Sequence, residues 1–168
     1  MKILGIVGWS GSGKTTLLTT LLPLLRARGL TVSTVKHTHH GFDMDRPGKD
    51  TFRHREAGAH EVLVASGTRW ALLHELAGAE PSLPELLRRM DPVDLVLVEG
   101  YKAHPFPKLE VYRPSLGKPP IWPDQADVVA VASDVSLPDC DRKLLTLDDP
   151  STVVVWIVEA LALEPPTN

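Results

Sequence analysis

The sequence predicts an α/β domain with a mixed, mostly parallel β-sheet and helices on both faces. Three observations point there. Residues 3–7 (ILGIV) and 94–99 (DLVLVE) are short apolar runs with the length and continuity of buried strands. Leucines at 17, 18, 21, 22, 24 and 25 form a broad apolar stripe at helical spacing. Strand-like and helix-like segments then alternate along the chain, a pattern that builds one sheet covered by helices.

The elements follow in order. After the first strand, a helix over 14–28 ends at Gly29, although Pro23 should kink it or cost it a hydrogen bond. Residues 30–36 (LTVSTVK) alternate and predict a second strand, followed by a polar loop to about Asp50. A short helix over 51–58 precedes two strands, 61–66 and 69–74, whose hairpin-like spacing makes the sheet mixed. Ser82 and Glu85 have the spacing of a capping box opening a helix to about Met90. Residues 108–113 (KLEVYR) alternate as a strand with one exposed face would. Residues 114–125 hold four prolines and a glycine and read as loop, in which Ile121 and Trp122 anchor the segment or meet a partner. A strand at 127–132 follows. Asp149 and Pro150 mark the start of a last helix to about Leu163, whose Val153–Val155 run would also suit a strand. The expected organisation is one nucleotide-binding domain over 1–163 with a frayed tail over 164–168.

Composition excludes several classes. A chain of 168 residues suits one domain and buries about two-thirds of its unfolded surface, so its core needs no covalent staple. The single cysteine, Cys140, leaves no internal disulfide and suits a reducing, cytoplasmic setting. A net charge of -3 argues against nucleic acid as partner. No apolar run approaches the roughly 20 residues of a membrane span, and no signal-peptide pattern opens the chain.

The chemistry begins at Gly8-Trp9-Ser10-Gly11-Ser12-Gly13-Lys14-Thr15, which matches G-x-x-x-x-G-K-[ST] between a strand and a helix. Glycines let successive N–H groups curl toward phosphate oxygens, and the helix N-terminus adds positive partial charge. The motif predicts a nucleoside triphosphate site formed by Gly8, Trp9, Ser10, Gly11, Ser12, Gly13, Lys14, Thr15 and Thr16. Within it, Lys14 reaches the terminal phosphates and the Thr15 hydroxyl coordinates Mg²⁺. Glu99, closing an apolar strand before Gly100, stands where a second carboxylate for Mg²⁺ belongs.

The polar segment 35–50 (VKHTHHGFDMDRPGKD) leaves the second strand and offers Lys36, His37 and Asp45 as switch or positioning residues. Asp50 either caps the next helix or positions Mg²⁺ or the attacking water, and it is the best candidate for a catalytic carboxylate beside Lys14. His37, His39 and His40 together would also suit a transition metal. Asp134, just past a strand, can accept from the N1–H and N2–H₂ of guanine, or serve as an ordinary turn residue.

Taken together, GWSGSGKTTL, VKHTHHGFDMDRPGKD, LVLVEGYK, PKLEVYR and AVASD occur in an order that resembles the MobB family of molybdopterin-guanine dinucleotide biosynthesis adaptor proteins, over about residues 3–134. The phosphate loop is shared widely; the histidine-rich block and V-E-G-[YF]-K are far more specific. The resemblance implies a P-loop NTPase-like, three-layer fold and a GTP-binding, weakly hydrolysing homodimer. Such a protein assists a molybdopterin-guanine nucleotidyltransferase (MobA-type) that joins GMP to Mo-molybdopterin. It assigns Gly8, Gly11, Gly13, Lys14 and Thr15 to the phosphate loop, Lys36, His37, Asp45, Gly48, Lys49 and Asp50 to a second block, and Glu99 and Gly100 to a third. Guanine preference rests largely on this resemblance, since the N-K-x-D form is lacking. Two other readings share the phosphate loop: a small-molecule or nucleotide kinase using Arg53, Arg55 and Arg69, and a metallochaperone-like GTPase using the three histidines.

Overall fold

The computed structural model describes residues 1–38 and 41–164. The expected tail over 164–168 lies, but for Glu164, outside the described residues. The chain groups into two compact units, one comprising Met1–His37 with Pro92–Asn168 and the other Thr38–Asp91.

The first unit is built on a six-stranded sheet. Its strands are β1 (Lys2–Val7), β2 (Val32–Lys36), β5 (Leu95–Glu99), β6 (Lys108–Tyr112), β7 (Val128–Ser133) and β8 (Lys143–Thr146), in the order β2-β5-β1-β6-β7-β8. All neighbours run parallel. The antiparallel pair expected to make this sheet mixed instead forms a separate two-stranded sheet in the second unit. The short β8 (KLLT) is absent from the sequence reading, because four residues carry almost no periodicity.

Helices α1 (Lys14–Ala27) and α4 (Pro150–Ala160) pack together over one face of the sheet. Leu17, Leu18, Leu21 and Leu25 of α1 join Val153, Val154 and Ile157 of α4 above Leu4, Ile6, Leu97 and Leu109. Pro23 stays inside α1, on its exposed side. A helix-interior proline costs about 3 kcal/mol. Full burial of Leu21 and Leu25 offsets that, at about 1.5–3 kcal/mol each. The carbonyl of Thr19 that loses its partner belongs to an exposed residue, so solvent is within its reach. The helix ends as Gly29 predicts. Gly29 N–H donates to Arg26 and Leu30 N–H to Leu25, the paired bonds of a Schellman motif with Gly29 at φ 81°. For α4, Asp149 caps through a bond accepted from Ser151 N–H, and Pro150 opens the first turn. That capping settles the helix against the strand alternative.

The opposite face is closed by the proline-rich segment. Ile121 and Trp122 are buried against Val7, Val128 and Val131. Ile121 and Trp122 therefore anchor their loop, which also contains a short 3-10 turn at Pro114–Leu116. Here the reading of residues 108–113 as a strand with one exposed face is corrected: Lys108 and Glu110 are both 0% exposed. Burial is tolerable because both charges find partners. Lys108 Nζ donates to Asp127 and to the carbonyls of His104 and Phe106. Glu110 accepts from the backbone N–H groups of Ile121 and Trp122 at 2.9–3.0 Å. Alternation in a parallel strand misleads whenever its polar members are bonded inside.

The second unit contains α2 (Asp50–Glu56), the hairpin β3 (Glu61–Ala65) and β4 (Trp70–His74), and α3 (Leu83–Leu87). The Ser82–Glu85 capping box forms: Glu85 accepts from Ser82 N–H at 2.8 Å and from its hydroxyl at 2.6 Å, which also lowers the Glu85 pKa. Among the described residues no helix is long and apolar enough to cross a membrane.

Candidate nucleotide site

The site lies at the carboxyl end of the parallel sheet, where β1 runs into the glycine loop and α1 begins. At Gly8, with φ 142°, any Cβ would lie 2.4 Å from the Val111 carbonyl oxygen and 2.7 Å from Ser12 Oγ. Only glycine allows the loop to turn this close to β6. The loop, the first turn of α1, Lys36 and Glu99 line a cleft of about 380 Å³. Ser10, Gly11, Gly13, Lys14, Thr15, Thr16, Lys36 and Glu99 are thus brought together as their sequence positions predict.

Within the cleft, Lys14 Nζ curls over the loop and donates to the carbonyls of Gly8 at 3.1 Å and Trp9 at 2.9 Å. Burial lowers its pKa; Glu99 opposes the shift, while Lys102 and Lys36 add to it. Thr15 Oγ1 stands 3.4 Å from both oxygens of Glu99, longer than a good O–H···O bond. Lys36 Nζ lies 3.7 Å from Glu99 Oε1. Asp94 sits at the other end of β5, bonded to Thr31, and takes no part.

The β2–β5 junction is shaped by Gly100, whose φ is 102°. A Cβ there would approach His37 Cβ to 2.9 Å. His37 N–H donates to the Glu99 carbonyl at 2.8 Å, and its ring lies 4.4 Å from that of Tyr101, a buried residue with φ 49°. His37 therefore helps to fix the turn that presents Glu99.

Several contacts at this site were not legible in the sequence. Trp9 Nε1 donates to the Pro119 carbonyl at 2.7 Å, tying the loop to the proline-rich segment. Lys102 and Lys118 place their ammonium groups 4.6 Å and 5.9 Å from the Trp9 ring. Arg113, just past β6, donates from Nε to the Ser12 carbonyl at 3.0 Å and from Nη1 to Asp134 Oδ2. The one available signal was topological: a cation ending the strand beside β1 must face the loop.

Asp45 and Asp50 belong to the second unit. Asp45 accepts from Thr51 Oγ1 at 2.5 Å and pairs with Arg55, which also binds Asp43 and Glu75. These bonds, that to Glu75 foremost, raise the Arg55 pKa beyond its usual range. Asp50 is exposed in the first turn of α2. The N-cap position is occupied by Lys49, and Asp50 makes no capping bond, so its capping role is corrected. His39 and His40 lie outside the described residues. Among the described residues no group of three or more His, Cys, Asp or Glu side chains is placed to hold a metal.

Comparison with known proteins gives one consistent answer. Residues 3–134 match the family model described as MobB, molybdopterin guanine dinucleotide synthesis protein B. The chain is 44% identical over 163 residues to the molybdopterin-guanine dinucleotide biosynthesis adapter protein of Escherichia coli (strain K12), covering 95% of this chain and 93% of that protein. It is 45% identical over 150 residues to the adapter protein of the same name in Haemophilus influenzae, covering 88% and 83%. A crystal structure of molybdopterin-guanine biosynthesis protein B superposes with TM-score 0.74 at 28% identity, over 95% of this chain and 99% of that one. With a P-loop α/β fold and a family match spanning most of its length, the chain belongs to the MobB family.

Proposed function

We propose that this protein is a GTP-binding adapter in the biosynthesis of the molybdopterin guanine dinucleotide form of molybdenum cofactor, with slow intrinsic GTPase activity. It assists a molybdopterin-guanine nucleotidyltransferase that attaches GMP to Mo-molybdopterin. The observation that carries the nucleotide reading is the cleft in which the phosphate loop, Lys14, Thr15 and Glu99 converge.

Loop N–H groups and the amino end of α1 receive the phosphates. Lys14, whose ammonium bonds the Gly8 and Trp9 carbonyls, turns that ammonium to the terminal phosphates. Thr15 and Glu99 offer hard oxygen donors on one side of that path, as Mg²⁺ requires. Mg²⁺ held by Thr15 and Glu99 would supply positive charge that neutralises the phosphates. Asp134 is the proposed acceptor for guanine. Catalysis by positioning and charge fits slow turnover.

The working form is a homodimer. Leu63, Trp70 and Leu72 are 62%, 65% and 41% exposed. The register Leu63↔Leu72 and Ala65↔Trp70 puts them on one face of the β3–β4 hairpin. An isolated two-stranded sheet is marginal in water, and an apolar face with open strand edges suits a second copy of the chain.

The test is reconstitution of guanine dinucleotide formation with the nucleotidyltransferase, Mo-molybdopterin and GTP. Adding this protein should raise the yield, and Lys14→Ala should not. Equal yields with and without the protein would refute the adapter role.

A further inference from the structure

The two flanks of the phosphate loop differ in chemistry. On the β5 side stand Thr15, Glu99 and Lys36, the groups suited to terminal phosphates and a divalent cation. A triphosphate whose charged end lies there must run its sugar and base the other way, past the ends of β6, β7 and β8. On that side a cavity of about 520 Å³ opens between the turn that follows β7 and strand β8, lined by Ser133, Asp134, Ser136, Leu144 and Thr146 among others. Its size is that of small-molecule pockets in general.

Arg113 connects this cavity to the loop. Its planar guanidinium bonds the Ser12 carbonyl through Nε and Asp134 Oδ2 through Nη1. Three buried side-chain polar atoms lack a hydrogen-bond partner among the described residues, and two of them belong to the residues that Arg113 holds: Ser12 Oγ and Asp134 Oδ1. A buried carboxylate oxygen left without a donor is costly, and it is an acceptor kept for a donor the protein does not supply.

We propose that Arg113 is a specificity-determining positioning residue: it fixes the Asp134 carboxylate toward a purine base bearing adjacent N1–H and 2-amino donors, and ties that carboxylate to the phosphate loop. This rests on the reading of the site as a GTP site. A carboxylate has about four lone-pair positions, so Oδ2 serves Arg113 and the base together while Oδ1 takes the second donor. Lysine could supply the charge but not the rigid fork that spans Ser12 and Asp134.

The experiment measures Kd for GTP, ITP, ATP, XTP and tripolyphosphate at fixed Mg²⁺. Wild type should prefer GTP over ITP, which lacks the 2-amino group, by about tenfold or more. Arg113→Met should bring that ratio near one, with circular dichroism and a thermal melt showing that the variant is folded. Arg113→Lys should restore part of the preference. Asp134→Asn pairs one acceptor and one donor with the N1–H and O2 of xanthine, and should move the preference to XTP. An unchanged GTP:ITP ratio in Arg113→Met would overturn the proposal. Wild-type protein that binds GTP and ATP equally would overturn it and leave the phosphate loop intact. Wild-type protein that binds neither nucleotides nor tripolyphosphate would overturn the nucleotide reading itself.

Discussion

Thr15 Oγ1 faces both carboxylate oxygens of Glu99 at 3.4 Å, across the junction of α1 and β5. This spacing leaves the two groups close but poorly bonded to each other, and both are oxygen donors of the kind that hold Mg²⁺. Glu99→Gln should weaken Mg²⁺-dependent GTP binding by about tenfold, equivalent to about 1.4 kcal/mol. With EDTA in place of Mg²⁺ the two proteins should bind alike. Calorimetry checks both points, and a Glu99→Gln protein with unchanged Mg²⁺ dependence would remove Glu99 from the metal site.

Glu110 makes stability depend on pH. Burial raises its pKa above the ordinary value of 4.5, while the N–H groups of Ile121 and Trp122 pull the other way. The folded protein therefore holds this proton to higher pH than the unfolded chain does. The contribution is complete below 4.5 and is lost as pH rises from there through the folded value. Thermal melts should show wild type losing stability across this window relative to Glu110→Gln, which cannot titrate. Parallel pH profiles would contradict the sign. Glu110→Ala strands two buried N–H donors and should cost about 1–3 kcal/mol.

Gly100 should not tolerate a side chain. Its φ of 102° and the 2.9 Å approach to His37 Cβ make Gly100→Ala strained in backbone and crowded in space. A loss of about 1–3 kcal/mol is expected in denaturant titration. Weaker Mg²⁺-dependent GTP binding should accompany it, because the turn presents Glu99. A variant as stable as wild type would show that β5 can end differently.

Most of this architecture was legible from local patterns. The strand–GWSGSGKT–helix junction, the Ser82–Glu85 box, Gly29 and Asp149-Pro150 each act within a few residues, so spacing alone reveals them. What escaped was set by partners distant in sequence. The polarity of Lys108 and Glu110 marked an exposed face only until Asp127, Ile121 and Trp122 were placed beside them. Arg113 reads as an unremarkable strand end, and its bonds to Ser12 and Asp134 span about 101 and 21 residues. The separate β3–β4 sheet depends on which strands pair, a choice that alternation cannot make.

The exposed hairpin face predicts the oligomeric state. Leu63→Lys or Trp70→Glu would place a charge where a second copy is proposed to pack, a juxtaposition costly to bury. Light scattering should report a dimer for wild type and a monomer for either variant. A monomeric wild type would refute the dimer, and variants that stay dimeric would move the interface elsewhere.

The most direct test is GTP binding by calorimetry for wild type and Lys14→Ala. The Lys14 ammonium bonds the Gly8 and Trp9 carbonyls across the loop. Wild type should bind one GTP per chain in the presence of Mg²⁺, and Lys14→Ala should lose that binding by about a hundredfold or more. Equal affinity in the two proteins would contradict a nucleotide site at this loop.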